Sequence, residues 1–85
     1  MQTFEYTITD PYGMHARPAG MLVREASRFD SDITLEKDGQ RADAKRIFSV
    51  MGLGVKSMQT IKVNVNGADE MEAAVAVKDF LKNNM

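Results

Sequence analysis

"YGMHARPAG", residues 12–20, lies where the apolar pattern of the chain changes its period, and that change decides the fold. Upstream, Phe4, Tyr6 and Ile8 alternate with Thr3, Glu5, Thr7 and Thr9, the period of two expected of a half-buried strand. Asp10-Pro11-Tyr12-Gly13 breaks that pattern, because Pro and Gly supply turn dihedrals. Beyond His15 the spacing becomes helical: Ala19, Leu22, Val23 and Ala26 fall on one stripe. Pro18 belongs to the first helical turn, where a missing N–H forfeits no intrahelical bond. This helix is expected to fade around Ser27–Asp30.

Working outward, Ile33 and Leu35 alternate with Asp32, Thr34 and Glu36 in a second strand. Asp38-Gly39 signals a two-residue hairpin, since both positions tolerate positive φ, and Gln40–Asp43 is a short, polar return strand at a sheet edge. Residues 45–53 predict a short helix ended by Gly52 or Gly54. Ile61, Val63 and Val65 mark the last strand. Asp69 with Glu72 predicts a D-x-x-E capping box opening the final helix. That helix carries Met71, Ala74, Val75, Val77 and Leu81 as its apolar positions, with Phe80 widening the stripe. The order β-α-β-β-α-β-α points to an α+β fold: a four-stranded antiparallel sheet with helices on one face and water on the other.

With 85 residues the chain reads as one domain, spanning 1–85 without linker or repeat. A chain of this size buries only roughly 60% of its unfolded surface. It has no Cys, so packing must hold the fold without disulfides, and thiol chemistry is excluded. A formal net charge of −1 argues against nucleic acid as the main partner. A single His and no Cys make a transition-metal site improbable, and no cofactor is implied. The N-terminal "MQTFEYTITD" lacks the pattern of a signal peptide, and no apolar run is long enough to span a bilayer. A cytoplasmic protein, monomeric by default, is the expectation.

The chemistry concentrates at the strand-to-helix junction. A helix beginning at His15 or Ala16 directs its first backbone N–H groups outward, at the positive end of the helix dipole. Arg17, within the first turn, can add a guanidinium that grips phosphate oxygens as a fork. A neutral imidazole presents a nucleophilic ring nitrogen. These parts suit a histidine that accepts a phosphoryl group and holds it beside positive charge. Gly13 is expected to permit a sharp turn and leave room beside the imidazole, and no general base is evident next to His15.

The segment "GMHARPAGMLV", residues 13–23, resembles the motif G-x-H-x-R-P-A of the HPr family, the histidine phosphocarriers of the sugar phosphotransferase system. The resemblance continues through "KDG" (37–39), "AKRIFSVMGLGV" (44–55) and "VNGADE" (65–70). It implies an open-faced β-sandwich in which enzyme I, phosphorylated by phosphoenolpyruvate, passes its phosphoryl group to His15 at Nδ1. The carrier then hands it to sugar-specific enzyme IIA domains. By the same resemblance Arg17 is the charge partner, the amides of Ala16 and Arg17 face the phosphoryl oxygens, and Pro18 shapes the helix start.

Met21, Arg24 and Arg28 fall off the apolar stripe of the first helix, and Ile47, Phe48 and Met51 off the expected buried side of the short one, where Val50 and Leu53 sit. Rimmed by Arg17, Arg24, Lys45 and Arg46, these apolar residues would suit a partner with an apolar, acidic surface. Alternatively, Phe48 and Met51 fill a small core. At position 46 many Gram-positive relatives carry a serine phosphorylated by an ATP-dependent kinase; this chain has Arg46, so no regulatory serine is expected there. Two other readings compete: a regulatory paralogue that has lost transport, and a small acylphosphatase. The histidine argues against the first, and the lack of an Asn-positioned water and a glycine-rich cradle against the second.

Overall fold

A computed structural model describes residues 1–85. Strands β1 (Gln2–Thr7), β2 (Asp32–Lys37), β3 (Gln40–Asp43) and β4 (Thr60–Asn66) alternate with helices α1 (Ala16–Ala26), α2 (Ile47–Gly52) and α3 (Glu70–Asn84) in the expected order. The strands form one antiparallel sheet ordered β1-β4-β2-β3, so β3 lies at an edge. Asp38 and Gly39 have φ of 51° and 80°, the geometry that a two-residue hairpin demands.

Period-two alternation sends Ile33, Leu35, Ile61, Val63 and Val65 to the covered face, where they meet Ala19, Leu22, Ala26, Val77 and Leu81 in one core cluster. Each large aliphatic side chain buried there contributes about 1.5–3 kcal/mol. The opposite face is polar and pairs its charges in register, with Glu5 beside Lys62, Lys62 beside Glu36, and Glu36 beside Arg41. Such alternation of sign across neighbouring strands is the stabilising arrangement for exposed cross-strand pairs.

The final helix departs from expectation in two ways. Its buried positions are Ala73, Val77 and Leu81, whereas Met71 and Val75 are 71% and 61% exposed. Two residues correspond to about 200° around a helix, so Met71 and Val75 cannot share a face with Ala73. With Phe4, Ala74 and Lys78 they line a shallow groove between β1 and α3. Nor does Asp69 form the capping box, since its side chain caps no N–H of α3. Its carboxylate instead accepts hydrogen bonds from the backbone N–H of Asp30 and from both the N–H and Oγ of the fully buried Ser31. Asp69 thereby ties the start of α3 to the entry of β2. The reaching-back role falls to Glu70, whose Oε1 accepts from Gly67 N–H at 3.1 Å.

The short helix is trimmed at both ends relative to residues 45–53, with Arg46 as its N-cap. Gly54, at φ 62°, ends it in the left-handed conformation while its N–H bonds to the Met51 carbonyl. Helices α1 and α3 pack against each other, and α2 leans on α1 and β3. A side-chain carbon at Gly20 would touch Ile47 Cδ1 at 3.4 Å, which places α2 beside the N-terminal half of α1.

Candidate functional site

The turn between β1 and α1 is held at both of its ends. Thr9 and Asp10 donate their N–H groups to the Met85 carbonyl oxygen at 2.6 and 3.0 Å, and Thr9 Oγ1 donates to the same atom at 3.0 Å. At the other end, Met14 N–H bonds to the Val55 carbonyl at 2.9 Å. Gly13 closes the turn by donating to the Asp10 carbonyl at 2.9 Å. The φ of 67° and the close Val55–Lys56 backbone require a glycine here, in keeping with the sharp approach expected of Gly13, and the atoms nearest an added side-chain carbon are that backbone rather than the imidazole.

His15 is the N-cap of α1, with extended backbone at φ −84° and ψ 178°. Its carbonyl accepts the first intrahelical bond, from Ala19 at 3.0 Å, while its side chain bonds no helix N–H. The amides of Ala16 and Arg17 therefore stand free at the positive end of the helix, and Pro18, buried in the first turn, has none to satisfy. No acidic residue lies in that first turn to compete for an incoming anion. Arg17 is exposed and engaged in none of the ion pairs of the chain.

The imidazole is 40% exposed. Its Nε2 lies 3.4 Å from Oδ2 of Asp10, and the Tyr12 ring meets it edge-on with centroids 5.7 Å apart. Nδ1 bonds to nothing in the chain. A carboxylate thus stands beside His15 after all, although it faces Nε2. Asp10 escaped the sequence reading because only the turn geometry folds it back over five residues. Asp10, His15, Arg17, Pro18, Met21 and Asn84 line one open cleft of about 260 Å³. Asn84, on the last turn of α3, is the other member that no local pattern signals. No three His, Asp or Glu side chains converge to hold a metal ion.

Of the remaining sequence-predicted residues, only Met21 lines this cleft. Met21 is 41% exposed at its rim, and Arg24 is exposed one turn further along α1. Arg28 lies beyond the end of the helix, paired with Glu25 at 2.7 Å and set over the Phe29 ring. On α2, Phe48 is 87% exposed and Met51 40%, so neither fills a core, while Ile47 is half-buried against α1. Arg46 pairs with Asp43 at 3.6 Å. Lys45, expected on the charged rim, is instead drawn inward: its Nζ donates to the Phe29 carbonyl at 2.7 Å.

Residues 2–83 match the model of the family described as "PTS HPr component phosphorylation site". The phosphocarrier protein HPr of Mycoplasma genitalium is 41% identical over 85 residues, 99% of this chain and 97% of that protein. The crystal structure of HPr-C-His from Thermoanaerobacter tengcongensis superposes with a TM-score of 0.94 at 38% identity, covering 98% of this chain and 93% of that one. Crh of Bacillus subtilis, a catabolite repression protein described as a swapped, intertwined dimer, gives a TM-score of 0.79 at 34% identity, covering 100% and 98%. The sheet and the order of helices are therefore those of known relatives, and the chain belongs to the HPr family of phosphocarrier proteins.

Proposed function

We propose that this protein is a phosphoryl carrier of the sugar phosphotransferase system, taking the group from phospho-enzyme I onto His15 and passing it to enzyme IIA domains in the cytoplasm. The observation that carries this reading is the coincidence, at one helix start, of a partly exposed imidazole with an unbonded Nδ1, two free amides and an unpaired guanidinium. In the forward step the Nδ1 lone pair attacks phosphorus, the N–P bond forms, and the bond from phosphorus to the donor breaks with its electron pair leaving on the donor. Ala16 N–H, Arg17 N–H and the Arg17 guanidinium receive the phosphoryl oxygens, whose charge they offset. The return step breaks the N–P bond and restores the pair to Nδ1.

A carrier must not hydrolyse its cargo. The cleft is open, and its carboxylate lies on the Nε2 side of the ring, away from the nitrogen that would bear phosphorus. Transfer partners then complete each transition-state site, since positioning and electrostatics dominate phosphoryl transfer. The docking surface is Met21, Arg24, Ile47, Phe48 and Met51, with Arg28 at its margin. The proposed working form is a monomer. Arg46 has no hydroxyl, so no phosphate is accepted at that position.

The test is incubation with enzyme I, Mg²⁺ and phosphoenolpyruvate, followed by assay for one acid-labile phosphoryl group. The wild type should be labelled and His15→Ala should not. An unlabelled wild type, or a labelled alanine variant, overturns the reading.

A further inference from the structure

The turn that carries His15 also carries a carboxylate whose two oxygens are already committed. Asp10 Oδ1 accepts the Tyr12 backbone N–H at 2.8 Å, and Oδ2 faces His15 Nε2 at 3.4 Å. The backbone of Asp10 is fixed as well, by its N–H to the Met85 carbonyl and by its own carbonyl to Gly13 N–H. The carboxylate has little freedom to turn away, and its side chain is only 20% exposed. The other charged side chain lining the cleft, Arg17, carries no proton acceptor to oppose this arrangement.

We propose that Asp10 is the positioning residue that fixes the proton of neutral His15 on Nε2 and thereby reserves Nδ1 as the nucleophile. The inference rests on the phosphocarrier reading of His15 and adds to it how the reacting nitrogen is chosen. An ionised carboxylate only accepts hydrogen bonds, so the ring nitrogen facing it must donate. A neutral imidazole has one N–H, so the lone pair falls on Nδ1. That nitrogen is on the edge of the ring away from Asp10. The proton stays on Nε2 throughout transfer: attack by Nδ1 produces a phosphorylated imidazolium whose charge the carboxylate offsets, and departure of phosphorus returns the same neutral tautomer. A contact of 3.4 Å is long for the resting state and is of the kind that tightens as positive charge develops.

Asp10→Asn separates this role from a merely structural one. In that variant the side-chain amide oxygen remains the acceptor for Tyr12 N–H, which obliges the NH₂ group to face His15. A donor at that place requires the lone pair on Nε2 and drives the proton to Nδ1. Nitrogen-15 NMR of the neutral imidazole should therefore show Nε2–H in the wild type and predominantly Nδ1–H in Asp10→Asn, with the Tyr12 amide resonance little moved. Phosphoryl acceptance from phospho-enzyme I should fall by about ten- to a hundredfold, the scale of misorienting a reacting imidazole through its partner. Asp10→Ser, which keeps a short acceptor for Tyr12 but does not reach the ring, should leave a mixture of both tautomers. An Nδ1–H wild type, or variants with the wild-type tautomer, overturns the proposal. These spectra need no phosphoryl donor, so a His15 that is never phosphorylated would overturn the functional reading while leaving the tautomer result standing.

Discussion

A side-chain carbon added at Gly13 would stand 2.4 Å from the carbonyl oxygen of Val55 and 2.8 Å from Cα of Lys56. Both obstacles are backbone, and that same carbonyl accepts Met14 N–H immediately before the His15 turn ends. Gly13→Ala must therefore move the β1–α1 turn away from the segment after α2, besides adopting a φ of 67°. We expect a loss of about 2–4 kcal/mol, read from the urea midpoint. Gly39→Ala is the control, because Gly39 has φ 80° but nothing within 4 Å of the added carbon. It should lose only about 1 kcal/mol. Equal losses would mean that the close approach at Gly13 contributes nothing.

On the proposed reading, Arg17 contributes to function rather than to stability. It is exposed and unpaired, so Arg17→Ala should change unfolding free energy by no more than about 0.5 kcal/mol. Phosphoryl acceptance should fall about tenfold or more, with Arg17→Lys intermediate because an ammonium restores charge without the fork. Transfer by the alanine variant at the wild-type rate would remove Arg17 from the site.

The parts of this molecule legible in its sequence are those decided by neighbours within a turn or a strand. Alternation at Phe4–Ile8 and Ile61–Val65, helical spacing at Ala19–Ala26, and the Asp38-Gly39 hairpin all follow from local geometry. The placement of His15 and Arg17 at the head of α1 is legible for the same reason, since a helix start is a local event. Asp69 misleads because its partner, Ser31, lies 38 residues away, while the nearby Glu72 completes a plausible local pattern. Met71 and Val75 mislead because hydrophobicity alone does not say which of two candidate stripes faces the sheet. Gly13 shows a third case: the sharp turn it permits is legible locally, whereas the close approach of the Val55–Lys56 backbone is not.

Glu36 makes stability depend on acid. Its carboxyl is held below the ordinary value of 4.5, chiefly by the hydrogen bond from Asn64 and further by the charges of Arg41 and Lys62. Asn64 Nδ2 donates to Oε2 at 2.7 Å, and Arg41 Nε lies 3.6 Å from Oε1. A carboxyl with a depressed folded pKa contributes stability that is present above its unfolded value and lost as pH falls through the folded one. Asp69 acts in the same direction, held down by Ser31 Oγ and the Asp30 and Ser31 amides. Melting temperature should therefore decline as pH drops below 4.5. Asn64→Ala should flatten that decline: it is less stable than wild type near neutrality, and the difference shrinks as both proteins become protonated. A constant difference across the acid range would show that Asn64 acts through contacts other than Glu36, among them the hydrogen bond it accepts from Thr3 Oγ1.

Phe48 offers the sharpest separation of docking from folding. At 87% exposed, on a six-residue helix whose buried anchor is Val50, its ring contributes little to the core. It lies on α2, which packs beside the N-terminal half of α1, where Met21 lines the open histidine cleft. Large exposed aromatics of this kind supply much of the energy at protein interfaces. Phe48→Ala should therefore alter unfolding free energy by no more than about 0.5 kcal/mol. It should raise the KM for phosphoryl exchange with a partner by about tenfold, near 1.4 kcal/mol of binding. Val50→Ala is the opposite case, because its side chain is fully buried in the core. It should cost about 2 kcal/mol or more of stability while the folded fraction exchanges phosphoryl groups normally. If Phe48→Ala instead unfolds the protein and its folded fraction keeps the wild-type KM, the aromatic is structural and the docking surface must be drawn without it.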